Sequence, residues 1–161
     1  MPYASINYTF TQRFAVPVER AFAWSTDYDP GPADWKRMGL EGSRRIRKLT
    51  EDAIILDDTR QTDRGRVTKR RLVRINRERR SLVNTHIGGP TPYSQFLYEF
   101  FPEPDGGSRL EFTGMLLLSV RKEVSPAEVA RLAAAERAGD SKIWKNLAKA
   151  MEAELKEQPA H

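Results

Sequence analysis

The sequence contains no cysteine. Disulfides, thiolate catalysis and Cys-ligated zinc or iron–sulfur clusters are therefore excluded, and with them any positive argument for an oxidising compartment. Histidine is nearly as scarce: of two, His161 is terminal and His86 is the only internal one, too few for a His-based metal site. Long apolar runs are missing too. Met115 to Leu118 is far too short to span a bilayer, and MPYASINYTF lacks the basic flank and apolar stretch of a signal peptide. Cytoplasmic residence is the expectation. There is no GxSxG, no GxGxxG after a strand, no Walker loop and no HExxH. No pair of carboxylates stands out by spacing, so motifs alone argue for no catalysis, no metal and no cofactor.

What is present is ordinary for a globular chain. The 161 residues are 39% hydrophobic, 30% charged and 9% aromatic, which is enough to build one core and predicts a single domain over residues 1–161. The net charge of +5 is unevenly spread: between Glu41 and Arg80 there are 14 Arg and Lys against 7 Asp and Glu. An anionic partner would suit that quarter of the chain. Aromatic residues are almost absent from SRRIRKL and TKRRLVRINRERR, however, so base stacking is poorly supported. A solvated outer sheet face studded with Arg is the preferred reading, and no nucleic-acid partner is expected.

Tyr3 to Val16 alternates Tyr, Phe, Ile, Thr and Val in the manner of a strand. Pro17 then stands where a first helical turn tolerates it, and Val18, Ala21, Phe22 and Ser25 recur at helical spacing. Asp29-Pro30-Gly31-Pro32 ends that helix, and a second short one fits Ala33 to Met38. Six strand-like runs follow, Arg44–Leu49, Ala53–Gln61, Arg66–Ile75, Ser81–Ile87, Tyr93–Phe101 and Arg109–Val120, separated by turn residues and predicting consecutive antiparallel hairpins. Ser125-Pro126-Ala127-Glu128 is a helix start. Val129, Leu132, Ala133, Ile143, Trp144, Leu147, Met151 and Leu155 continue one apolar stripe, predicting a single long helix from Pro126 to Glu157, with Gly139 the position where a bend would fall.

This order of elements resembles the START-related superfamily, the helix-grip fold of pollen-allergen-like, lipid-transfer and polyketide cyclase/dehydrase proteins. The resemblance covers nearly the whole chain, and Val16, Pro17, Glu19, Ala21, Phe22, Asp27 and Trp35 match its entry motif. The DPGP residues before Trp35 and the Arg-rich middle strands depart from it. The resemblance implies an α+β fold: a seven-stranded antiparallel sheet wrapped around the long C-terminal helix, two short helices between the first two strands, and a cavity between sheet and helix. It also implies a small hydrophobic ligand such as a lipid, polyketide or other aromatic. The chain could be a monomer or a homodimer.

Site residues follow from register. A five-residue loop at Pro104–Ser108 would set Glu103 against Arg109, Phe100 against Phe112, Tyr98 against Gly114 and Phe96 against Leu116. Phe96, Tyr98, Phe100, Phe112, Gly114 and Leu116 then share one face, which with Trp144 and Met151 would line the cavity. Gly114 leaves room there for a ligand or for a large neighbour such as Tyr98. Lys69 and Arg71 fall on the same parity as Val67, Val73 and Ile75. An unbroken strand would aim both inward, so a bulge or a position at the cavity mouth is preferred over a ligand role for Arg71. Alternation with Val83, Thr85 and Ile87 inside puts His86 outside; a one-residue slip would put it in the cavity as a base. The two main alternatives are a binding module, with Tyr98 or Arg71 orienting the ligand's polar end, and a cyclase or dehydrase drawing its acid or base from Tyr98, His86 or Arg71.

Overall fold

A computed structural model describes residues 2–28 and 41–157. Strand β1 (Tyr3–Phe14) leads into helix α1 (Val18–Ser25). Strands β2 (Ser43–Thr50), β3 (Ala53–Thr62), β4 (Gly65–Asn76), β5 (Ser81–Gly88), β6 (Gln95–Pro102) and β7 (Ser108–Ser119) follow, and helix α2 (Pro126–Glu157) ends the described chain. The seven strands form one antiparallel sheet in the order β1-β7-β6-β5-β4-β3-β2, a meander whose last strand pairs with the first. The expected second helix at Ala33–Met38, the DPGP residues and Trp35 lie outside the described residues.

Alternation sets the faces. On β1, Ala4, Ile6, Tyr8, Phe10 and Phe14 are buried, with Gln12 partly covered on the same face, while the alternate residues point to solvent, the period of a half-buried strand. Helix α2 begins as its sequence indicates: the Glu128 amide donates to Ser125 Oγ at 3.1 Å, filling one of the unsatisfied N-terminal donors. It runs unbroken through Gly139. Met151 and Ala148 are buried, and Leu132, Ala133, Trp144 and Leu155 pack on the core. Polar ties fix it beside β1 and α1: Arg137 Nε donates to the Thr9 carbonyl at 2.9 Å, the Ala15 amide to Glu152 Oε1 at 2.9 Å, and Trp24 Nε1 to Glu154 Oε2 at 2.8 Å.

Two expected registers are corrected. The β6–β7 loop is Glu103–Gly107, not Pro104–Ser108, with Pro102 opposite Ser108. Buried Ser108 is held in the strand by its hydroxyl, which donates to the Val16 carbonyl at 2.8 Å, and Gly106 takes the left-handed turn conformation (φ 88°). Each residue's partner therefore moves by two, which preserves the faces. Tyr98 stands opposite Phe112, and Phe96 opposite Gly114.

On β5 the faces themselves are reversed. Leu82, Asn84 and His86 point inward, whereas Val83, Thr85 and Ile87 point out, Ile87 being 48% exposed. The reason is pairing: Leu82 lies between Ile75 and Tyr98, and Asn84 between Val73 and Phe96, all on the inner face. Neighbouring strands fix a strand's parity more firmly than its own polarity does.

Candidate functional site

Helix α2 makes its extended backbone contact along β1, with no comparable contact to β3, β4 or β5. The inner face therefore divides. Under the helix, Phe10, Phe14, Phe100, Phe112 and Leu116 are buried in one core cluster with Met151. Beyond it, β3, β4 and β5 turn Asp58, Lys69, Arg71, Asn84 and His86 inward.

Tyr98 and Trp144 sit at the junction. Their ring centroids are 5.7 Å apart, and Tyr98 packs edge-on to Phe112 at 5.0 Å. Both rings remain only partly buried although both face the interior. Burial raises the Tyr98 pKa, so its hydroxyl stays protonated, and Asn84 lies beside it.

Lys69 and Arg71 do point inward. A bulge is present, since Arg70 pairs with Gly88 and Arg71 with His86, but it places the extra residue, Ile87, on β5 and leaves the alternation of β4 intact. The expectation of a bulge turning the two cations out is thereby corrected. Arg71 meets a carboxylate instead. Asp58, 5% exposed, accepts from Arg44 Nε at 2.7 Å and Arg44 Nη2 at 3.2 Å, and also from Arg71 Nη2. Burial and then the Arg71 charge lower the Lys69 pKa.

His86 is inside, 5% exposed, with its ring 5.0 Å from that of Phe96 and Nδ1 2.9 Å from Thr91 Oγ1. Burial first, then the Lys69 and Arg71 charges, push its pKa down to about 4, so the imidazole is neutral at pH 7.

Sequence reasoning missed the opposite wall. The space above Gly114 is filled by Tyr8, its partner on β1, and not by Tyr98: a Cβ on Gly114 would lie 2.6 Å from Tyr8 Cζ. The Tyr8 hydroxyl donates to Asp140 on α2. Burial, then the neighbouring carboxylate charge, raises the Tyr8 pKa; Asp140 is raised chiefly by burial, against the Tyr8 hydrogen bond. Asp140 had a visible signal, being a carboxylate four residues before Trp144 on the apolar stripe.

A depression bordered by Asp52, Arg74, Val83, Thr85 and Gln95, with Ile75 and Leu82 also in its lining, is open to solvent. Among the described residues, no group of three or more histidine and carboxylate side chains could hold a metal ion. No described helix is long and apolar enough to cross a membrane.

No family model and no curated protein sequence matches the chain. Solved structures do. The Zhui aromatase/cyclase from Streptomyces sp. R1128 aligns with a TM-score of 0.73 over 96% of this chain and 96% of its own, at 11% identity. Ara h 8.0201 aligns at 0.69 over 93% and 99%, at 15% identity. TTHA0849 from Thermus thermophilus aligns at 0.71 over 93% and 98%, at 14% identity. The chain has the helix-grip fold. At such identities the likeness is one of architecture, and the helix-grip frame alone assigns no chemistry to Arg71, His86 or Asp140.

Proposed function

We propose that the protein binds a small, mainly hydrophobic molecule, such as a lipid, polyketide or other aromatic, between the inner face of the sheet and α2. Phe96, Tyr98, Phe112 and Trp144 supply the apolar wall, and Arg71 and Tyr98 orient the ligand's polar end. Phe100, Leu116 and Met151 support that wall from the core, and Gly114 contributes by seating Tyr8. The observation that carries the reading is the junction itself: two large aromatic side chains face the interior while only partly covered, and polar groups continue the same face beyond them. The aromatase/cyclase name of one fold neighbour agrees with this ligand class.

Native mass spectrometry of the purified protein is expected to reveal a co-purified small molecule. Titration with an apolar fluorescent probe should give saturable one-to-one binding, weakened by Trp144→Ala. Absence of both signals would overturn the reading.

A second reading makes the same space an active site for cyclisation or dehydration. The Tyr8–Asp140 pair supports it, because a buried carboxyl whose pKa is raised can hold or deliver a proton. Neutral, inward-facing His86 adds a candidate base. On this reading Asp140→Asn leaves probe binding intact and abolishes turnover of a bound polyketone; on the binding reading no turnover exists to lose.

A further inference from the structure

Asp58 and Lys69 are direct cross-strand partners on the inner face, the arrangement in which an ion pair ordinarily forms. No such pair is made. Both Asp58 oxygens are taken by Arg44 and Arg71, and Lys69 makes no hydrogen bond or ion pair among the described residues. Asp58 is thus fully occupied by two guanidinium groups. The carboxylates that act on Lys69 through space, Glu136 and then Asp140 of α2, make no ion pair with it, and Asp140 is engaged by Tyr8.

Two further polar atoms at this place are unsatisfied. Arg71 Nε is buried without an acceptor, and Asn84 Oδ1 is buried without a donor, in a side chain only 4% exposed. A partly buried charge without an ion-pair partner and buried polar atoms without partners are both costly. Their convergence beside the partly uncovered Tyr98 describes the complement of a ligand group.

We propose that the site is selective for ligands bearing a negative charge, a carboxylate or an equivalent anionic oxygen, bound between Lys69 and Arg71 while Asn84 Oδ1 accepts a hydrogen bond from a neighbouring ligand hydroxyl. The inference rests on the ligand-binding reading above and narrows it: an aromatic acid fits, and a neutral lipid does not. The apolar body lies along Tyr98 and Trp144, and the anionic end reaches towards β4.

The test is a pair of shape-matched probes, 2-naphthoate and neutral 2-naphthamide, titrated calorimetrically against the wild type and Lys69→Met. The wild type is expected to bind the carboxylate at least ten-fold tighter than the amide. Lys69→Met should weaken the carboxylate at least ten-fold, change the amide by less than two-fold, and leave the melting temperature equal or higher, which separates lost recognition from lost folding. Equal wild-type affinities for the two probes, or an equal loss of both in Lys69→Met, would overturn charge selectivity while leaving the hydrophobic site standing. Binding of neither probe would overturn the hydrophobic site and this inference together.

Discussion

The two halves of the sheet's inner face present opposite problems. On β1, β7 and β6 the inward residues include Ile6, Phe10, Phe14, Leu110, Phe112 and Phe100, all nearly inaccessible to solvent. Phe10 stacks on Phe112 with centroids 4.5 Å apart, and α2 lies over this side. On β3, β4 and β5 the inward residues beyond Ile54, Leu56, Val73, Ile75 and Leu82 include Asp58, Lys69, Arg71, Asn84 and His86. The first half is held by apolar area removed from water. The second must be held by partners, because each charge or amide there loses hydration on folding. Function is therefore sought at the junction of the two halves, where Tyr98 and Trp144 of α2 adjoin polar groups that the fold itself leaves unsatisfied and that are available to a ligand.

The comparison breaks most visibly at Asp58. Asp58→Asn removes the counter-charge of two buried guanidinium groups without changing side-chain size, and the expected loss is about 3–5 kcal/mol. In the packed half a similar loss, about 3–5 kcal/mol, needs a whole ring removed, as in Phe112→Ala. Urea unfolding of both variants checks this. If Asp58→Asn melts like the wild type, the cluster is solvated and the division between the halves fails.

His86 gives the next effect, and its sign follows from the direction of its shift. The folded pKa of about 4 lies below the unfolded value of about 6.5, so the unfolded chain binds the proton first as pH falls. The neutral imidazole's contribution is complete above about pH 6.5 and disappears as pH drops to about 4, roughly 3 kcal/mol in all. Wild-type stability should therefore fall more steeply across that window than that of His86→Asn. Parallel curves would mean that the imidazole stays in water.

In the packed half, Gly114→Ala has a comparable or smaller cost. The new methyl would meet the tip of the Tyr8 ring at 2.6 Å. That ring is held at its hydroxyl by Asp140 and along its face by Phe112, with centroids 5.9 Å apart. Overpacking of this kind costs about 1–3 kcal/mol. In a Tyr8→Ala background the same substitution should cost almost nothing, the non-additivity expected of residues in direct contact. Additive effects would show that Tyr8 does not fill the space above Gly114.

Much of this fold was legible in the sequence because its signals are local. The Ser125 cap, the strand runs and the turns between them place every described element to within a few residues. The inward parity of Lys69 and Arg71 was legible too, yet a bulge or a position at the cavity mouth was preferred because two buried cations looked too costly; what offset the cost for Arg71 was Asp58, visible only once β3 is paired with β4. His86 was recoverable. Ile75 faces inward and the β4–β5 turn sets it against Leu82, so Leu82, Asn84 and His86 follow by alternation; judging β5 by its own apolar residues gave the reverse. Tyr8 was a different matter. Its contacts with Gly114 and Asp140 join positions more than a hundred residues apart in sequence, and only the closing of the meander by β1 against β7 creates them.

The smallest expected effect sharpens the comparison most, because it involves the residue next to Asp58. Asp57 points to the outer face and accepts two hydrogen bonds from Arg70, at 2.8 and 2.9 Å, a geometry as good as that of the buried pair. The hydrogen bond from Arg70 lowers its pKa. Arg70, however, is 53% exposed, and exposed pairs are weakened by water and salt and opposed by side-chain entropy. Asp57→Asn should therefore shift the unfolding midpoint by no more than the scatter of replicate melts, with any residual difference vanishing on added salt. A neighbouring pair of identical substitutions, one strongly destabilising and one silent, would locate the cause in the side of the sheet that each faces. Equal losses from Asp57→Asn and Asp58→Asn would show instead that both carboxylates act through the edge pairing of β2, β3 and β4, and the inner face would lose its claim to be different.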